Sequence, residues 1–118
     1  MTMPDDPAFR ARLAALSEKF AATVPGTLER ITQALAVCKA SGADLPPDAH
    51  LHQLHELLHG VAGSAGTFGF VMFGQQARRL EHMVRGVLAD HTGWPAVIPE
   101  VEKLLIWASR DAQATTYE

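Results

Sequence analysis

Apolar residues recur at three- and four-residue intervals along most of the chain, and no stretch alternates as a half-buried strand does. Phe9, Leu13, Leu16 and Phe20 fall on one face of a first helix over Asp6–Ala22. Asp5 or Asp6 can cap it, and Pro7 suits the opening turn. Pro25 disfavours helical backbone at Val24, so Val24-Pro25-Gly26 is read as a break. A second helix over about Pro25–Ala40 places Leu28, Ile31, Leu35 and Cys38 inward, with Gly42 as its stop. After a polar loop over Ser41–Pro47, a histidine-rich helix runs from about Pro47 to Thr67, and Gly69 ends it. Met72–Ala89 follows, with Phe73, Ala77, Leu80, Val84 and Val87 on one side. Asp90-His91-Thr92-Gly93 is a turn. The last helix, about Pro95–Ala112, buries Val97 or Ile98, Val101, Leu104, Leu105 and Ala108, with Pro99 tolerated in its first turns.

Each of these helices has one apolar stripe and nothing of its own to bury it against. The expected fold is all-α: an antiparallel four-helix bundle with an additional short N-terminal helix packed over one end. The chain, residues 1–118, reads as a single domain, with a tail over Ala114–Glu118 expected to fray. An apolar fraction of 47% with 19% charged residues describes a globular chain and excludes a disordered one.

Charge narrows the partners. The formal net charge is -3 and the ten Lys and Arg are scattered, which excludes the clustered positive charge that nucleic-acid backbones require. No apolar run is long enough to span a bilayer, and the acidic start, Met1 to Pro7, lacks a signal-peptide layout. The expected location is the cytoplasm. Cys38 is the single cysteine and falls in an apolar-periodic stretch, so it reads as a small buried hydrophobe.

One stretch carries candidate chemistry: His59-Gly60-Val61-Ala62-Gly63-Ser64-Ala65-Gly66-Thr67-Phe68-Gly69-Phe70. With His59 at zero on a helical wheel, Leu54, Leu57, Val61, Ala65 and Phe68 lie between about 160° and 240°. His52, His55, Gly63, Gly66 and Phe70 lie within about 40° of His59. His59 is therefore expected to face solvent, one turn from a residue without a side chain. Glycine inside a helix costs roughly 0.5–1 kcal/mol relative to alanine, and a cleared surface around one histidine is a reason to tolerate it.

Three uses of His59 compete. A neutral imidazole is a good nucleophile near neutral pH and can accept a phosphoryl group in line. Alternatively, His55-Glu56-Leu57-Leu58-His59 spells H-E-x-x-H, which on a helix sets two histidines for zinc and a glutamate as general base, with Glu81 as a possible third ligand. That motif is short, and the chain offers neither a cleft nor a strand to align a substrate. The third use is none at all, a helical interaction module with an idle surface histidine, and this leaves the glycines unexplained. No nucleotide-binding glycine loop is present.

The run His59-x-x-x-Gly63-Ser64-Ala65-x-x-x-Gly69, followed by Leu80-Glu81, resembles the signature of histidine-containing phosphotransfer (HPt) domains. These helical modules relay phosphate between receiver domains. The resemblance implies that His59 is the phosphorylated residue and that Gly63 gives the incoming receiver room. It implies that Ser64 and Ala65 pack the helix on its neighbours and that Glu81 orients the ring. Family members often carry lysine three residues after the histidine, where this chain has Ala62. On the next helix Arg78, Glu81 and Arg85 form one strip, from which Arg85, or Arg78, can supply the missing cation. Gly66, Phe70 and His55 are the expected rim of the docking patch; His52 has no assigned part.

The expected partners are receiver domains of response regulators and of hybrid sensor kinases. The chain is expected to act as a monomeric phosphocarrier rather than an enzyme. It is expected to need no cofactor or metal of its own, the Mg²⁺ being held by the receiver.

Overall fold

The computed structural model describes residues 6–42 and 44–118, leaving the alternative cap Asp5 outside the described residues. Among these residues four α-helices follow one another: α1 (Pro7–Ala40), α2 (Asp48–Ser64), α3 (Val71–Asp90) and α4 (Trp94–Asp111), with one 3-10 turn, Ala65–Phe68, between α2 and α3. No strand occurs among the described residues. Short connections make sequential helices neighbours, and α1 also packs on α4, so the ring closes with α1/α3 and α2/α4 as diagonals. The core between them holds Ile31, Cys38, Leu51, Leu54, Leu58, Phe73, Leu80, Val84, Val101 and Leu104, each with no accessible surface.

The expected break at Val24–Gly26 does not occur. The first two predicted helices are one helix of 34 residues, capped by Asp6 Oδ1, which accepts from the Ala8 N–H at 2.9 Å. Pro25 removes the N–H that would bond the Ala21 carbonyl, but both residues are exposed, so water can satisfy that oxygen. Val24 and Ile31 are buried on another face and carry the helix through the proline. Helix α1 is twice the length of α2, and its first turns overhang the bundle, leaving Phe9, Leu13 and Leu16 exposed. The part that does pack over one end of the bundle is short. Ser17 Oγ donates to the Phe68 carbonyl at 2.7 Å, and Phe20 lies against Phe68 and Phe70.

The C-terminal tail, expected to fray, is folded back on α4. Trp107 Nε1–H donates to the Thr116 carbonyl at 2.8 Å, Tyr117 meets the Trp107 ring edge-on, and Lys103 lies 4.6 Å from the Tyr117 ring centre. An indole with a buried N–H needs a nearby acceptor, and the tail backbone provides it. Trp94 and Trp107 are core residues that the apolar periodicity of α4 did not single out. Cys38 is buried as expected, and burial pushes its thiol pKa up.

Candidate functional site

The buried residues of α2 are Leu51, Leu54, Leu58 and Val61, continued by Ala65. On the helical wheel these centre at about 240° from His59. His59 is thus on the flank of the buried stripe, beside α3, rather than diametrically opposite it. That rotation sets up the site. The His59 side chain keeps 67% of its surface exposed, while the Glu81 side chain, facing it from α3, keeps 3%.

His59 Nδ1 lies 2.7 Å from Glu81 Oε1. A carboxylate can only accept, so Nδ1 carries the proton and Nε2 is left with a free lone pair directed away from the carboxylate. Arg85 Nη2 donates to the same Oε1 at 2.9 Å. Burial pushes the Glu81 pKa up, but the His59 hydrogen bond and the neighbouring His59, His55 and Arg85 more than offset it, and the net direction is down. Glu81 is the one buried charged side chain among the described residues.

His55, one turn before His59, is largely buried, with Nε2 at 3.5 Å from Glu81 Oε1. Burial lowers its pKa, Glu81 opposes that, and Arg85, His59 and His52 add to the lowering. Glu56 is on the other flank of α2. It borders an open, largely apolar groove of about 430 Å³ against α1, lined also by Leu16, Phe20, Leu57 and Gly60. The three defined letters of H-E-x-x-H therefore split: two histidines lean toward α3 and the glutamate toward α1. Among the described residues no group of three His, Cys, Asp or Glu side chains is placed to hold a metal ion.

Past His59 the surface is bare. A Cβ built on Gly60, Gly63 or Gly66 meets no atom within 4 Å. Ala65 is fully buried, whereas Ser64 faces solvent, so only the first of these two packs the helix on its neighbours. Gly69 adopts φ +91°, the left-handed conformation in which a side chain is strained, and the Phe70 N–H returns to the Ala65 carbonyl at 2.9 Å. Phe70, expected at the rim, is buried at 2% against Phe20: the helix has ended before it, so helical spacing no longer gives its direction.

The arginines divide differently from expectation. Arg85 is engaged by Glu81, while Arg78 Nη2 donates to the Ala62 carbonyl at 3.2 Å. Arg78 therefore stands beside the position whose lysine is absent. Gly74, unnoticed in the sequence, is where α3 comes closest to the end of α2: a Cβ there falls 3.2 Å from the Gly66 amide nitrogen and 3.5 Å from the Ala65 Cβ. No sequence signal marks it beyond its being a glycine inside a helix.

A family model described as Hpt domain matches residues 15–109, most of the chain. Searches of curated proteins and of solved structures returned no significant match.

Proposed function

Because this chain belongs to the Hpt domain family, whose members are phosphocarrier modules of two-component phosphorelays, we propose that His59 is its phosphorylated residue and that receiver domains are the donor and acceptor. One observation carries the reading. His59 is an exposed imidazole with Nδ1–H committed to a buried carboxylate at 2.7 Å, which leaves Nε2 as the nucleophile.

The transfer follows from that arrangement. The Nε2 lone pair attacks the phosphorus of a receiver's phospho-aspartate, the P–O bond breaks, and the aspartate carboxylate departs with the electron pair. The ring gains positive charge as the N–P bond forms, and Glu81 stabilises it through Nδ1–H. The Mg²⁺ that such a step uses belongs to the receiver. The Gly63 and Gly66 surface admits the receiver's backbone, with His55 at its edge. Arg78, at Ala62, and Arg85, at Glu81, bring the positive charge that the phosphoryl group meets, in place of a lysine at position 62.

Among the described residues no helix is long and apolar enough to cross a membrane. The test is labelling of the purified chain by a phosphorylated receiver domain, with the acid-labile, base-stable product mapped by mass spectrometry. A single label on His59, absent from His59→Gln at unchanged helical content, is the expected result. Label on another residue, or undiminished label in His59→Gln, refutes it.

A further inference from the structure

One polar atom beside the site lacks a partner. His55 Nε2 is buried and makes no hydrogen bond, although Glu81 Oε1 is 3.5 Å away. The His55 and His59 rings stack with centres 6.1 Å apart and planes 10° from parallel, so both nitrogens approach one carboxylate from adjacent turns. The groups that act on His55 are His52 and His59 from its own helix and Glu81 and Arg85 from α3. With neutral imidazoles, the charges of Glu81 and Arg85 cancel.

Phosphorylation upsets that balance, taking His59 as the acceptor proposed above. The phosphoryl group arrives with one net negative charge, its N–P bond made from the Nε2 lone pair while Nδ1 keeps its proton. The ring beside Glu81 turns positive while two negative charges sit on the phosphoryl oxygens beyond it, so the charge added next to the stacked His55 ring is negative on balance. We infer that His55 is a positioning residue for the phosphorylated state: it takes up a proton from solvent when His59 is phosphorylated, and its Nε2–H then holds Glu81 in place. Burial keeps His55 uncharged beforehand, so Oε1 serves His59 and Arg85 until the phosphoryl group arrives. By linkage, a proton on His55 favours the phosphorylated state to the same extent.

The experiment is an NMR titration of the histidine Cε1–H resonances of the full chain, before and after labelling with phosphoramidate. That small donor loses ammonia as its P–N bond breaks and needs no receiver. The His55→Gln spectrum assigns the resonance, and sequential assignment of the unaltered chain replaces it should that variant not fold. The expected result is a His55 pKa raised by about one unit on phosphorylation, with His91, ten residues beyond Glu81, unmoved. A His59 that is labelled while His55 titrates as before overturns this inference alone. A His59 that takes no label from phosphoramidate or from a phosphorylated receiver overturns the reading beneath it.

Discussion

Replacing Glu81 by leucine separates what the buried carboxylate does for the fold from what it does for His59. Its two hydrogen-bond donors are surface groups, Arg85 with 55% and His59 with 67% of the side chain exposed, and both regain water when the carboxylate goes. Leucine also removes the cost of keeping a charge in a site with 3% exposure, and such replacements by apolar residues of similar size are often neutral or stabilising. Stability is therefore expected within about 1 kcal/mol of the parent chain. The nucleophile fares worse. A hydrogen bond to a charged acceptor contributes about 1.5–3 kcal/mol, and solvent competition at an exposed ring puts His59 at the low end. That difference corresponds to a roughly tenfold slower reaction. The assay is the rate of phosphoramidate labelling followed by ³¹P NMR, beside urea melts of the same samples. Glu81→Gln, which keeps an acceptor oxygen without the charge, falls between the two. A Glu81→Leu chain that labels at the parent rate refutes the orienting role. One that loses more than about 3 kcal/mol makes Glu81 a structural residue instead.

Other outcomes follow from the same geometry. Gly63→Trp places a large side chain in open space beside His59: transfer from a phosphorylated receiver is blocked, phosphoramidate labelling persists, and the melting temperature does not fall; parent-like receiver transfer refutes the cleared-surface account. Because the Glu81 pKa is lowered on folding, its contribution to stability is present above the ordinary value of 4.5 and is lost as pH falls through the folded value. Urea midpoints of the parent and Glu81→Leu chains therefore shift relative to one another below pH 4.5, the parent losing ground, and parallel curves contradict the lowering. Pro25→Ala restores a donor for the Ala21 carbonyl and relieves ring crowding, raising stability by about 1–3 kcal/mol. A drop in melting temperature tells against a continuous α1.

Much of the candidate site was legible because helical spacing converts sequence distance into angle. The separations His59–Gly63 and His59–His55 place these residues on one face wherever the helix sits, and Gly69 announces its own left-handed turn. The strip Arg78–Glu81–Arg85 was likewise visible on α3. What spacing leaves open is the zero of rotation, which depends on the neighbours that share the apolar stripe. Leu58 and Leu51 turned out to be buried and Leu57 half-buried, and that swing carried His59 from the far side of α2 to the flank where Glu81 waits.

Local rules failed where a longer-range contact outweighed them. Pro25 signalled a break, yet its exposed position, with Val24 and Ile31 buried on another face of the helix, lets α1 run through it. Phe70 was placed by a helical wheel that had already ended, and Phe20 from α1 claims its ring. The tail had no pattern to read until Trp107 needed an acceptor for its N–H. By itself, then, the amino-acid sequence determined the last three helices, the exposure of His59 and the glycines beside it, all consequences of backbone geometry within one helix. Only the tertiary structure decided which proton His59 keeps, which arginine stands beside Ala62 and which side chains lose their water. Those depend on how two helices are rotated against each other, and that is settled by the packing of the whole core.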